Sequence, residues 1–283
     1  MQSKQKEQMF ILNCKGKVLV LNKPMVMGII NATPDSFFED SRKIQVEDAV
    51  EKAAQMIKEG ATILDIGGQS TKPGSDTVTE DAEMDRVLPV IKAIANAFPD
   101  VYISIDTYYA AVAKAAVEAG ACIVNDISGG LFDTEMIPTV ASLNVPYICM
   151  HMQGTPKTMQ LNPVYENVTN EVLDFFIERI AVCIEAGIKD VIVDVGFGFG
   201  KTIEHNFQLL NTLEVFKMLD KPLLAGVSRK GMVYKTLGIT AAEALNGTTV
   251  LNTIALQKGA TILRVHDVKE AKEAIDLLQL MDE

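Results

Sequence analysis

Polar and charged side chains recur in this sequence at one kind of place, the end of a short apolar run. Asn31 follows MVMGII, Asp65 lies in TILDI, Asp106 ends VYISID, and Asn125 and Asp126 end CIVND. His151 follows PYICM, Asp194 lies in VIVDV, Ser228, Arg229 and Lys230 follow PLLAGV, and Arg264 and His266 belong to TILRVH. A single such residue is explained by a helix cap or a solvated side chain; a set repeating along the chain points to a shared crater. Two chemistries meet in it. A carboxylate in an apolar strand, as Asp106 and Asp194 are, must find a partner or take up a proton. Such groups suit a ligand with adjacent N–H donors, like the guanidine edge of a heterocycle, and Asn125 adds a group that both donates and accepts. The structural alternative is that both aspartates cap the helices that follow. Lys72, Arg229, Lys230, Arg264 and His266, with Asn31, Ser70 and Thr71, form the opposite kind of group: cations beside hydroxyls and amides, suited to phosphate.

Three glycine- or proline-rich loops accompany these residues. Residues 31–37 (NATPDSF) and 67–74 (GGQSTKPG) have the turn chemistry of anion-binding loops, and Phe37 and Phe38 are placed to close over a ligand. Residues 196–201 (GFGFGK) read as a third mobile loop; Gly-Lys-Thr there lacks the spacing of a phosphate-binding P-loop. His151 reads as a packing residue or a support for the site, and His205 as a helix-capping residue. The three histidines have no zinc spacing, and GxSxG is absent.

The elements that must position these side chains follow one rhythm. Strand-like runs at 25–30, 62–66, 101–106, 122–126, 146–150, 191–195, 222–227 and 261–265 alternate with helical patterns at 46–59, 79–97, 108–119, 134–142, 166–186, 204–219, 241–258 and 268–281. The strands are apolar almost throughout, as parallel strands buried on both faces should be. Eight such units predict a single-domain α/β chain, a (β/α)8 TIM barrel over 25–283, with a short β-hairpin at 10–13 and 17–21 in the N-terminal segment 1–24. An open doubly wound sheet is the alternative. In a closed barrel, every residue singled out above falls on the C-terminal rim.

Composition narrows the setting. The 283 residues carry 26 Lys and Arg against 37 Asp and Glu, a net charge of −11, which disfavours nucleic acid and anionic membranes as partners. The four cysteines, Cys14, Cys122, Cys149 and Cys183, form no CxxC pair, so neither a disulfide framework nor a zinc ribbon is expected. No signal-peptide pattern opens the chain and no apolar stretch is long enough for a membrane span. A cytoplasmic protein is expected.

In this order and spacing, MGIINATPDSF (27–37), GATILDIGGQSTKPG (60–74), ISIDT (103–107), AGACIVNDISGG (119–130), MHMQGTPKTMQ (150–160), DVGFGFGK (194–201), SRK (228–230) and RVHDV (264–268) resemble the dihydropteroate synthase family over essentially the full length. The resemblance implies condensation of 6-hydroxymethyl-7,8-dihydropterin diphosphate with 4-aminobenzoate to 7,8-dihydropteroate and pyrophosphate. It implies Mg²⁺, a homodimer and a target of sulfonamides. By the same resemblance Asp106, Asn125, Asp194 and Lys230 hold the pterin, and Met150 and Phe199 line its slot. Asn31, Thr71, Arg264 and His266 face the diphosphate and Mg²⁺, with Asn31 as metal ligand. Thr71, Pro73 and Ser228 frame 4-aminobenzoate, and Asp35 belongs to the first loop. Asp35, Lys230 and Arg264 are the expected catalytic groups, with Lys72 gripping pyrophosphate. Three departures stand out: Lys72 where the family usually has Arg, Val195 where it has Pro, and SFFEDSR where many members have SFxDGG. The first exchanges a bidentate fork for a point charge; the second is expected to lose a rigid turn.

The chemistry expected of such a site is loss of pyrophosphate ahead of amine attack, since the pterin ring system delocalises the positive charge left on its CH₂. Charge placement and exclusion of water then carry catalysis. The rival readings are a corrinoid-type pterin methyltransferase and a non-catalytic pterin-binding paralogue. Neither needs both the phosphate groups and the lid residues. Ile254, Leu256, Ile275 and Leu278 on the last two helices suit either a dimer face or the cover of the barrel.

Overall fold

A computed structural model describes residues 9–32, 39–69 and 77–282. The first described elements form a hairpin, β1 (Phe10–Cys14) and β2 (Lys17–Leu21), paired antiparallel with Cys14 opposite Lys17. Lys15 and Gly16 both have positive φ, 56° and 87°, the two-residue turn that matches strand twist. There follow β3 (Met25–Asn31), α1 (Glu39–Glu59), β4 (Ala61–Gly67), α2 (Glu80–Ala97), β5 (Tyr102–Asp106), α3 (Ala110–Ala119), β6 (Ile123–Asp126) and α4 (Met136–Leu143). The second half runs β7 (Tyr147–Met150), α5 (Val168–Glu185), β8 (Val191–Asp194), α6 (Ile203–Asn211), β9 (Leu223–Ala225), α7 (Gly231–Leu237), α8 (Leu245–Gln257), β10 (Ile262–Val265) and α9 (Val268–Asp282). Strands β3 to β10 close into a parallel barrel in which β10 pairs with both β9 and β3. The expected barrel is therefore present, and closure removes the open-sheet alternative.

Three departures of the helices from expectation are the most informative. Helix α1 starts at Glu39 rather than 46: the stretch EDSRKIQ lacks an apolar stripe but is rich in good helix formers. The pattern over 204–219 breaks at Thr212, whose hydroxyl donates to the Gln208 carbonyl (2.9 Å), and continues as a 3₁₀ turn over Leu213–Leu219. The segment 231–237, not expected to be helical, forms α7, closed by Gly238 in the left-handed conformation.

The hairpin closes the N-terminal end of the barrel. Leu12, Cys14, Leu19 and Leu21 are buried against Met25, Met27, Ile63, Ile123, Ile148, Ile192, Leu224 and Ile262. Each fully buried leucine contributes ~1.5–3 kcal/mol by area. Polar ties fix the hairpin: Asn13 N–H donates to Asp190 Oδ2 (2.8 Å), Tyr102 O–H to Val18 O (2.6 Å) and Lys15 Nζ to Val117 O (2.7 Å).

Candidate active site

Strand alternation carries this plug into the crater. Two residues beyond Ile63, Ile123, Ile148, Ile192 and Ile262 along their strands come Asp65, Asn125, Met150, Asp194 and Arg264, all turned inward by the two-residue period. Register aligns them: Asp106 pairs with Asn125, and Met150 with Asp194.

Arg264 organises the floor. Its Nε donates to Asp65 Oδ2 (2.7 Å) and its Nη2 to Asp106 Oδ2 (2.6 Å), while Asn125 Nδ2 donates to Asp65 Oδ2 (3.0 Å). Burial pushes Asp106 up to about 7 against the pull of Arg264, because Asp65, Asp126 and Asp194 add negative charge nearby. Asp194 is also raised, by burial ahead of the opposing pull of Lys230, and its Oδ1 accepts from Gly196 N–H (2.8 Å). Lys230 Nζ donates to Phe197 O (2.6 Å) and lies 4.7 Å from the centre of the Phe199 ring. Burial lowers it to about 8 despite Asp194. Met150 and Phe199 pack with Ile127 and Met159 as the apolar wall, with Tyr108 and Met152 against them.

At the edge, Ser228 and His266 are joined twice. The His266 N–H donates to Ser228 Oγ (3.1 Å), and that hydroxyl lies 3.0 Å from His266 Nδ1. The serine hydroxyl, one donor with two acceptor lone pairs, thus ties the imidazole to its own backbone amide. Burial and Arg264 push His266 down to about 4. It is thus neutral at pH 7 rather than one of the cations expected there.

Several expected rim residues do other work. Arg229, at φ 52°, forms a bidentate pair with Asp267 (both 2.8 Å) and donates to Ala241 O and Ala242 O, so its charge is spent on loop architecture. Asp126 accepts from Tyr147 O–H, Ser128 and Gly130 (2.7 Å each), bracing the loop after β6. His151 is buried beside Lys201 (Nζ to Nδ1, 2.9 Å) and pushed down to about 2 by burial first and that lysine second. His205 completes a capping box with Thr202. Asp35, Thr71, Lys72 and Pro73 lie outside the described residues, as do Phe37, Phe38 and Ser70. Asn31 ends β3, exposed.

The 196–201 loop, expected to be mobile, is pinned. Lys201, 2% exposed, donates to Gly196 O (3.0 Å) and Phe199 O (3.0 Å) as well as contacting His151, and Gly198 N–H donates to Asn206 Oδ1 (2.6 Å). Burial lowers Lys201 to about 7. Val195 does not undo the turn either. Gly196 takes φ 69°, and any Cβ there would meet the His151 carbonyl oxygen at 2.0 Å. Sequence reasoning misses Lys201 and the floor role of Asp65. The signals were present: a lone cation closing a glycine-rich run, and an aspartate within an apolar strand.

A model of pterin-binding enzymes matches residues 27–266. The chain belongs to that family. It is 43% identical over 270 residues to the dihydropteroate synthase of Haemophilus influenzae, covering 95% of this chain and 98% of that one. The dihydropteroate synthase of Yersinia pestis, solved with a sulfonamide drug complex, superposes with a TM-score of 0.90 at 41% identity, covering 96% and 99% of the two chains. That of Xanthomonas albilineans has been solved with 4-aminobenzoic acid (TM-score 0.89, 39% identity, covering 96% and 97%) and with 7,8-dihydropteroate (TM-score 0.86, 37% identity, covering 96% and 98%).

Proposed function

We propose that the protein is a dihydropteroate synthase, a transferase of folate biosynthesis. It joins the CH₂ of 6-hydroxymethyl-7,8-dihydropterin diphosphate to the amino nitrogen of 4-aminobenzoate and releases pyrophosphate. The observation that carries this reading is the floor of the crater, where Asp65, Asp106, Asn125 and Asp194 converge with Arg264 and Lys230 in one barrel mouth. Full-length likeness to dihydropteroate synthases favours it over a methyltransferase or a non-catalytic paralogue.

In this reading Asp194, Asn125 and Asp106 meet the N–H edge of the pterin, and the apolar wall of Met150 and Phe199 takes its face, with Lys230 alongside. The C–O bond to the diphosphate breaks first, its electron pair leaving with pyrophosphate. The arylamine nitrogen then forms the C–N bond, and its proton passes to solvent. Arg264, held rigid by two carboxylates, supplies preorganised donors on the leaving side, with the neutral imidazole of His266 beside it. Thr71 and Lys72 belong to the same side, Thr71, Pro73 and Ser228 also frame the amine, and Asp35 belongs to the closing loop. Mg²⁺ fits as a cation shared with substrate: among the described residues no cluster of three His, Cys, Asp or Glu could cage a metal, and Asn31 offers one oxygen of the few a protein gives such an ion. Bound with the diphosphate, it would neutralise phosphate charge.

The protein is further proposed to form a homodimer in the cytoplasm. Ile275 is buried and Leu256 packs against the core, so these cover the barrel, whereas Val250, Leu277, Leu280 and Met281 on α8 and α9 are exposed apolar residues suited to a second copy. No described helix is long and apolar enough to cross a membrane. The deciding experiment supplies both substrates at saturation and follows pyrophosphate and 7,8-dihydropteroate; absence of the product overturns the reading. Positional isotope exchange within bound diphosphate tests the order of bond changes. A rate that rises strictly with amine nucleophilicity, without exchange, would establish concerted displacement instead.

A further inference from the structure

Glu83 is the buried carboxylate that the chemistry above leaves unused. It lies in the first turns of α2 and is 0% exposed, yet no cation pairs with it at hydrogen-bond distance among the described residues. Its Oε2 accepts from Gln69 Nε2 (2.7 Å) and from Thr107 Oγ1 (3.2 Å). Gln69 is thereby fixed in orientation: with its amide nitrogen turned to Glu83, its Oε1 accepts from Tyr108 O–H (2.9 Å). The backbone is arranged to permit this. A Cβ on Gly68 would meet Val87 Cγ1 at 2.8 Å and Glu83 Cγ at 2.9 Å, and Arg86 Nη1 holds the Gly68 carbonyl at 2.8 Å. At the far end of the chain of bonds, the ring of Tyr108 packs on the wall formed by Ile127, Met150, Met159 and Phe199, and sits edge-on to Phe132 with centroids 5.4 Å apart.

We propose that Tyr108 is a further binding residue of the pterin slot and that Glu83 is its positioning residue, acting through Gln69. This rests on the reading of the crater as a pterin site. The relay runs one way, from phenol to amide to carboxylate, so each member has a fixed donor or acceptor role. Asp106, the neighbouring strand residue, is held independently by Arg264. Loss of the relay therefore frees the Tyr108 ring without releasing the floor. Burial pushes Glu83 up to about 7, so the acceptor at Oε2, rather than a full charge, is what the relay needs.

The test is steady-state kinetics on the full-length enzyme with Tyr108→Phe, Glu83→Ala, Glu83→Gln and the Glu83→Ala/Tyr108→Phe double variant. One lost hydrogen bond corresponds to about a threefold to tenfold change, so Tyr108→Phe and Glu83→Ala should each raise KM for the pterin diphosphate by that factor, more than they change kcat. KM for 4-aminobenzoate should stay within about twofold, and the double variant should match the larger single effect rather than their product. Glu83→Gln, which keeps a carbonyl acceptor, should recover most of the loss. Unchanged pterin KM in Tyr108→Phe, or effects that multiply in the double variant, overturn the proposal. Tyr108→Phe removes one oxygen from a half-buried ring, so the test stands even where Glu83→Ala fails to fold. Failure of the unmodified enzyme to form dihydropteroate would instead overturn the function assigned to the site.

Discussion

The two ends of the barrel are built from the same strands with opposite contents. At the N-terminal end the inward positions are Met25, Met27, Ile63, Ile123, Ile148, Ile192, Leu224 and Ile262, closed by four buried hairpin side chains. One alternation later the inward positions are Asp65, Asn125, Asp194 and Arg264, polar groups largely buried together and crowded with charge. The lower end gains stability from every group it encloses. The upper end holds carboxylates raised by burial and a lysine lowered by it, protonation states that cost folding energy. A rigid, dry base lets the upper layer keep that arrangement, so substitutions at the two ends should fail in different ways.

The sharpest break is at Arg264. Arg264→Ala leaves Asp65 and Asp106 buried without their shared cation, which typically costs 3–5 kcal/mol. It also removes the preorganised donor on the leaving side, for which a fall in kcat of roughly 10²–10³ is expected. Both losses should appear, one by urea titration and one by pyrophosphate release; cleavage should slow with or without amine. A variant as active as the parent would remove Arg264 from the chemistry.

At the other end, Leu19→Ala should cost about 2–5 kcal/mol in stability, because the leucine is buried in the plug and its space cannot collapse. Both KM values should stay unchanged. A rise in either would mean that the base shapes the crater directly and that the two ends are not separable.

The pH dependence of stability belongs to the upper end. Glu83 stands at about 7 in the folded chain against an ordinary 4.5. The folded state therefore binds the proton more tightly, and this contribution to stability is full below about 4.5 and is lost as pH rises to 7. Glu83→Gln lacks that loss. Its stability relative to the parent should improve by about 3 kcal/mol between pH 4.5 and 8. Urea titrations at both pH values check this; a constant difference would mean that Glu83 is not proton-linked to folding.

How much of this contrast was legible beforehand follows from periodicity. Runs such as MVMGII and VIVDV announce buried parallel strands, and the polar residue two places beyond each apolar one announces the rim. What periodicity cannot carry is which rim residue serves the site. Arg229 and Arg264 look alike in sequence, yet one is consumed by Asp267 and two carbonyls while the other faces two carboxylates across the barrel. His266 reads as a cation in sequence, but burial and the neighbouring Arg264 keep it neutral, and its hydrogen-bond partner Ser228 lies 38 residues away. Lys201 was hidden for the same reason, since its partners come from the loop after β7 as well as its own.

The smallest of these effects tests the crater at a single atom. Asp194 Oδ1 accepts from Gly196 N–H, and its other oxygen remains as an acceptor for a ligand. Asp194→Asn keeps the shape and can keep the Gly196 bond, but then turns an NH₂ towards the N–H edge of the pterin. A donor facing a donor costs ~1–3 kcal/mol, so pterin affinity should fall tenfold or somewhat more. Nothing in the plug changes, and the asparagine no longer needs to be buried as a charge, so thermal stability should hold or rise. Calorimetric titration with a pterin, paired with a melting curve, reads both quantities. Lower affinity at equal or higher stability is the signature of a residue kept for binding rather than for folding. Lower stability with unchanged affinity would assign Asp194 to the architecture of the Gly196 turn and leave the pterin edge to Asp106 and Asn125.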